Sequence, residues 1–199
     1  MSAERKRLDS ERVGENILTA AIAVFAAQGW AGFTFEAVSR ASGVGKASIY
    51  RRYRTREELM GVIINAHTFD GPRAASGDVA RDLHLLVEGY AGWLDGPEGR
   101  LALRFLVEDR LNADFRALWL SSPRFIESTR RLYDLIDAAK ESGELRYDMP
   151  TDVVLHMLLG GVVQQVAASR AESGTVFTTP AGRRYLRELV AGVLRAARP

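Results

Sequence analysis

Between Phe33 and Leu59 the chain reads FTFEAVSRASGVGKASIYRRYRTREEL, and this stretch restricts the fold more than any other. Thr34 can cap a short helix running to Arg40, with Glu36 placed in its first turn where the helix dipole favours a negative charge. Ala41-Ser42-Gly43-Val44-Gly45 follows as a tight turn, in which Gly43 suits a backbone angle that side chains resist. A second short helix covers Lys46 to Arg52. Thr55 and Glu58 then form a capping box for a further helix striped by Leu59, Val62, Ile63 and Ala66. Two short helices around a glycine turn, followed by a capped helix, is helix-turn-helix organisation. Val38, Val44 and Ile49 supply the small core such a pair needs, and Ala37 and Ala41 let its helices approach closely.

The rest of the chain also reads as helix. Val13, Ile17, Leu18, Ala21, Val24 and Phe25 recur at helical spacing ahead of the motif, with Gly29 as the stop. Asp70–Gly77 is a Gly/Pro/Ser-rich linker. Helical patterns resume at about Val79–Leu94 and Glu98–Leu111, and a longer stretch, interrupted at Ser121-Ser122-Pro123, ends near Ser142-Gly143. Two strong helices follow, at about Thr151–Ala171 and Pro180–Ala197, separated by Glu172–Thr179. The predicted class is all-α, with a helix-turn-helix head in residues 1–56 and a larger helical body in residues 57–199.

Composition narrows the chemistry. The 199 residues are 47% hydrophobic and 26% charged, the balance of a globular chain, and no cysteine is present to serve as thiol nucleophile, disulfide or zinc ligand. His67, His84 and His156 are too scattered to suggest a metal site. Neither a Ser/His/Asp arrangement, nor HExxH, nor a phosphate loop is present, so neither an enzyme nor a cofactor is expected. No uninterrupted apolar run approaches the ~20 residues of a membrane helix, the greasiest stretch, Val153–Ala168, being broken by His156, Gln164 and Gln165, and Met1–Arg12 lacks the apolar core of a signal peptide, so the expected compartment is the cytoplasm. The net charge of +2 hides an asymmetry: residues 1–56 carry ten Lys/Arg against five Asp/Glu, residues 57–199 seventeen against twenty. A basic end on a mildly acidic body fits an encounter with a polyanion.

Residue types at the motif match that partner. The second helix of such a pair lies in the major groove of duplex DNA with its first turn at the base edges. Lys46 can donate to guanine O6 and N7, and Ala47 can touch a thymine methyl. Ser48, Tyr50, Arg52, Tyr53 and Arg56 supply hydroxyl or cationic donors for phosphate oxygens, and Thr34 does the same at the start of the first helix of the pair. A solvated face is the competing reading of the cations. The enclosing motif decides for DNA, except at Arg51 and Arg54, where the two readings balance. Tyr53 is expected mainly to pack. Arg5, Lys6 and Arg7 are expected in a disordered, solubilising tail.

On these residues the chain resembles the TetR family of bacterial transcriptional regulators. The matching positions, within residues 12–62, are Ala26, Gly29, Thr34, Val38, Ala41, Gly43, Val44, Ser48, Ile49, Tyr50, Tyr53, Arg56, Glu58 and Leu59. Pro97-Glu98-Gly99-Arg100, and Gly143-Glu144-Leu145-Arg146 followed by Asp148, resemble one subgroup more loosely. Three positions depart from the pattern: Gly45 stands where the family usually has a capping Ser or Asn, Arg52 where Tyr or His is frequent, and Arg56 where Lys is usual.

The resemblance implies a homodimer built through the last two helices, with Val153, Met157, Leu158, Gly161, Val162 and Gln165 on one and Tyr185, Leu186, Leu189, Val190 and Val193 on the other. It also implies a small-molecule effector held by the central helices, for which Trp93, Phe105, Asp109, Trp119, Phe125, Tyr133 and Gln164 are the candidate contacts. The expected activity is repression: the dimer binds a pseudo-palindromic operator and the effector releases it. The rivals are an all-helical enzyme, for which no catalytic set is found, and a protein-interaction module whose basic face is unused.

Overall fold

The structure, a computed structural model, describes residues 2–96, 99–169 and 174–199, with side chains from residue 10 onward. Among these residues there are ten helices and no strand: α1 (Ser2–Gly32), α2 (Phe35–Ser42), α3 (Lys46–Arg52), α4 (Arg56–His67), α5 (Val79–Asp95), α6 (Gly99–Leu111), α7 (Ala113–Leu120), α8 (Pro123–Glu141), α9 (Thr151–Ala168) and α10 (Pro180–Ala197). The all-α expectation holds. The backbone of α1 runs back to Ser2, where a disordered tail was expected. Glu4 to Arg12 contain strong helix formers and neither Gly nor Pro, so nothing local ends the helix there. The side chains of Arg5, Lys6 and Arg7, and residues Pro97 and Glu98, lie outside the described part, as do Arg170 and Ala171 at the expected end of the penultimate helix.

The chain forms two compact units, Met1–His67 with Leu103–Ser122, and Thr68–Ala102 with Pro123–Pro199. The first therefore takes in α4, α7 and most of α6 in addition to the segment 1–56 named from sequence. Its core is aromatic. Phe25 packs on Phe33, Phe105 and Phe115 with ring centroids 5.8, 5.7 and 5.3 Å apart, and Trp119 lies 4.8 Å from Phe105. Phe25, Phe33, Phe105 and Phe115 are all at most 1% exposed. Each stabilises the fold by roughly 1.5–3 kcal/mol through burial alone. Gly29 (φ 67°, ψ −168°) breaks α1 just before its end and turns Trp30 into this cluster, 5.9 Å from both Phe33 and Phe115.

The second unit is a bundle of α5, α8, α9 and α10. Asp78 caps α5 by accepting from Arg81 N at 3.1 Å, and Val79, Leu83, Leu86, Val87, Tyr90 and Leu94 give that helix its buried stripe. Ile136 of α8, Val154, Leu158 and Val162 of α9, and Val190 of α10 are fully buried with it. Thr179 caps α10 by accepting from Gly182 N at 3.0 Å, with Pro180 as the first helical residue. Three buried polar groups fix the connections. Asp82 accepts from Ser76 N (2.8 Å), Asp95 from Gly174 N (2.9 Å) and Phe177 N (3.3 Å), and Ser128 Oγ donates to Phe69 O (2.6 Å). Asp70, in the linker, is gripped by Arg131 at 2.7 Å and Arg124 at 2.9 Å.

Candidate nucleic-acid interface

The motif segment builds α2 and α3 from local rules. Thr34 is extended (φ −121°, ψ 155°) and its hydroxyl accepts from Ala37 N at 3.1 Å, so α2 begins on a satisfied donor. At its other end Gly43 adopts φ 69° and donates its N–H to Ser39 O. A Cβ there would meet nothing, so the backbone angle, not space, demands glycine. Ser39 Oγ donates to Val44 O (2.8 Å) and Val44 N to Ser42 Oγ (3.1 Å), which fixes the turn. Gly45 caps α3 with no side-chain bond, in an extended conformation (φ −60°, ψ 141°) open to any residue. Gly45→Ser is therefore expected to raise the free energy of unfolding by a few tenths of a kcal/mol, read from urea melts; a loss would show the turn needs glycine.

Val38 and Ile49 are fully buried and anchor the pair; Val44 is half-buried. With Ile49 turned inward, Lys46, Ala47, Tyr50 and Arg51 are exposed on the outside of α3, and Ser48 is half-buried. Tyr50 is 52% exposed and stands edge-on against Phe35, centroids 4.8 Å apart. Lys46 Nζ lies 2.9 Å from Glu36 Oε1. Their shared hydrogen bond, before any long-range attraction, lowers the Glu36 pKa and raises that of Lys46. Burial is the main cause raising the Tyr53 pKa, consistent with its expected packing role.

Like Lys46, the two predicted arginine contacts find partners inside the protein, and Ser48 accepts from Arg51 at 3.2 Å. Arg52 turns onto α1, donating to the Ser10 carbonyl and, at 2.8 Å, to Ser10 Oγ. Arg56 donates to Glu57 Oε1 (3.0 Å) and to the Trp30 carbonyl (3.1 Å), and its guanidinium carbon sits 4.1 Å from the centre of a Trp30 ring. The capping box at α4 is shifted by one residue. Glu58 N donates to Thr55 Oγ1 (3.1 Å), but Glu58 Oε2 accepts from Arg54 N (2.8 Å). A concavity of about 430 Å³ lies in the head, with Thr34, Tyr50, Arg54, Thr55 and Arg56 in its lining. Thr55 was read from sequence only as a cap and Arg54 as undecided. Their convergence with Thr34 and Tyr50 depends on the fold and leaves no spacing signal.

The seven candidate effector contacts do not share a site within either unit. Phe105 and Trp119 are packed ring against ring in the aromatic core, and Asp109, half-buried there, has one carboxylate oxygen with no hydrogen-bond partner. In the second unit Trp93 packs at a tilt against Tyr90 (5.4 Å), Phe125 is half-buried, and Tyr133 and Gln164 are exposed. The Tyr90 hydroxyl is pushed up to about 12 by burial. Cavities of this unit lie elsewhere: one of about 460 Å³ beside Pro72–Ala75 and α8, and one of about 530 Å³ lined by Glu88, Ala91, Gly92, Phe177, Arg183 and Leu186 among others. Ala91 and Gly92, in the lining of the second, carry no sequence signal, because small residues in a helix mark a close approach of another helix as readily as a cavity wall. Among the described residues no group of three His, Asp or Glu side chains is placed to hold a metal ion.

Known proteins agree with this arrangement. Residues 17–63 match the family described as bacterial regulatory proteins of the tetR family, and residues 74–178 match the tetracyclin repressor-like C-terminal domain. The chain is 29% identical over 165 residues to the HTH-type transcriptional regulator AqdR of Rhodococcus erythropolis, covering 81% of this chain and 77% of that one. It is 25% identical over 167 residues to the HTH-type transcriptional repressor AcnR of Corynebacterium glutamicum, covering 80% and 85%. Its fold resembles that of the flavonoid-responsive regulator FrrA, with a TM-score of 0.65 at 19% identity over 95% of this chain and 98% of that one. These relatives are regulators rather than enzymes. The chain belongs to the TetR family of bacterial transcriptional regulators.

Proposed function

We propose that this protein is a cytoplasmic, homodimeric repressor that grips a pseudo-palindromic operator with two copies of α3 and lets go when a small-molecule effector binds. DNA reading belongs to residues 1–56, effector binding and dimerisation to residues 57–199. The observation that carries the reading is the outer face of α3. Lys46, Ala47 and Tyr50 are exposed on a helix whose inner face is anchored by the fully buried Ile49. Such a helix can enter a major groove without repacking, with Lys46, Ala47 and Ser48 at the base edges. Thr34, Tyr50 and Tyr53, on or beside the same face, serve the phosphates, and Arg52 and Arg56 flank them. Lys46 reaches a base by exchanging Glu36 for guanine.

Dimerisation is supported by α9, an apolar helix of 18 residues of which only Val154, Leu155, Leu158 and Val162 are buried within the chain. Its buried side packs with α5, α8 and α10, so the remaining apolar stripe suits another protein helix. Effector control is supported by the two sizeable cavities of the second unit, within the range of ligand pockets. A structural relative, FrrA, is described as flavonoid-responsive.

The test is a selection from a randomised duplex pool with the purified protein, followed by Lys46→Ala. The expected outcome is a palindromic consensus for the wild type and, for the variant, a loss of roughly tenfold to a hundredfold confined to one base position of each half-site. A loss spread equally over all sequences would reduce Lys46 to a phosphate contact. No enrichment by the wild type would end the DNA-reading proposal.

A further inference from the structure

We infer that Arg56 is a positioning residue: it clamps the start of α4 to the end of α1 through Trp30, and its part in DNA binding is to hold the reading helices in place rather than to neutralise a phosphate. The inference rests on the DNA-reading function proposed above.

The geometry begins at Gly29. Its backbone (φ 67°, ψ −168°) interrupts α1 one residue before Trp30. The Trp30 carbonyl, at the frayed end of α1, accepts from Phe33 N and from Arg56 Nη1, the latter at 3.1 Å. The Trp30 ring is 3% exposed and packs on Phe33 and Phe115, so it is a fixed surface. Arg56 lies over that surface at 4.1 Å while Glu57 holds its Nε. One guanidinium thus makes a stacking contact, a carbonyl bond and a carboxylate bond, all to the protein. These three demands specify arginine. A planar, multiply donating cation can stack and donate at once, whereas a lysine ammonium has three donors for the two oxygens but no plane to lay on the Trp30 ring while it donates. This gives a physical reason for Arg56 at a position where the family usually carries lysine.

Only Arg54 and Thr55 separate Arg56 from Tyr53, the residue that ends α3. Freeing the start of α4 therefore frees the C-terminal end of the reading helix. Arg52, bonded to Ser10 of α1, fastens that same end from another side. The two arginines hold α3 against α1 while Lys46, Ala47 and Tyr50 stay exposed.

A phosphate contact and a positioning clamp give opposite results. Arg56→Ala and Arg56→Lys are to be compared with wild type on the duplex that wild type selects from a randomised pool and on poly(dI-dC), across a salt series, with circular dichroism melts as the folding control. Positioning predicts that both variants lose about tenfold on the selected duplex, since lysine restores the charge but not the stacked geometry. It also predicts unchanged affinity for poly(dI-dC) and an unchanged dependence of log Kd on log salt. Trp30→Phe, which keeps an apolar ring, should lose affinity on the selected duplex and lose little more when Arg56→Ala is added. Wild-type affinity in Arg56→Lys, or a salt slope lower by about one in Arg56→Ala, overturns the inference while leaving the DNA-reading function intact. A wild-type protein that selects no duplex removes both.

Discussion

Gly29→Ala is expected to destabilise the first compact unit by about 3–5 kcal/mol, and with it DNA binding. Two costs coincide at this position. The backbone (φ 67°, ψ −168°) lies in a region open essentially to glycine alone, and forcing a side chain into it costs roughly 1–3 kcal/mol. The added Cβ would also overlap the Glu108 carboxylate and the Arg104 guanidinium of α6. These two form an ion pair at 3.1 Å, with the Glu108 side chain only 5% exposed and also accepting from Asn112 Nδ2. Displacing the buried Glu108 carboxylate from a partner that is itself 30% exposed adds about 2 kcal/mol more. Urea unfolding followed by far-UV circular dichroism measures the loss. The overlap has a separate check: Glu108→Ala removes the obstructing carboxylate, so Gly29→Ala should cost less in that background than in wild type. A Gly29→Ala protein as stable as wild type would show that α1 straightens and that α6 moves aside at no expense.

Gly29 also marks where sequence reading ends. That a helix stops there was legible, because a glycine after a run at helical spacing is a local signal. That its missing side chain receives an ion pair from α6 was not, since Arg104 and Glu108 lie more than seventy residues away. The same division holds throughout the head. Thr34 as a cap, Gly43 in the turn, the bounds of α3 and the inward Ile49 all follow from neighbours within a few positions. Arg52 on Ser10 and Arg56 on Trp30 span 42 and 26 residues and leave no periodic trace. The break between α6 and α7 rests on Asn112 alone, whose cap makes no side-chain bond, and the end of α6 at Leu111 is where the sequence pattern also stops. The effector candidates show the limit most plainly. They were selected by residue type, and aromatic type fits a ligand wall and a protein core equally. In Phe105 and Trp119 it built the core.

Met157→Glu is expected to split the dimer and to weaken operator binding by about 10²–10⁴-fold. On α9, Val154, Leu155, Leu158 and Val162 turn inward and are at most 4% exposed, which leaves Val153, Met157, Gly160 and Gln164 at spacings of four, three and four along the opposite face. Val153 and Met157 are each 39% exposed, an apolar stripe that a single chain leaves in water. Gly161 lets α10 come close: a Cβ there would stand 2.8 Å from Leu189 Cδ1, and Tyr185 donates to the Gly161 carbonyl at 2.9 Å. The two helices therefore present one continuous surface, not two independent ones. In a two-fold assembly a residue near the axis meets its own copy, so a glutamate at 157 sets carboxylate against carboxylate in a desolvated seam. Within the chain the same substitution touches only an exposed position, so each monomer should keep its helicity and melting behaviour. Operator affinity falls because each head then binds its half-site alone, without the effective concentration that the partner supplies. Analytical ultracentrifugation gives the mass and a gel shift on the selected operator gives the affinity. Val62→Glu, at another exposed apolar position (41%) on α4, is the control and should leave the mass unchanged. If Met157→Glu sediments with the mass of the wild-type dimer, the α9 stripe is not where the copies meet, and the exposed apolar face needs a different occupant.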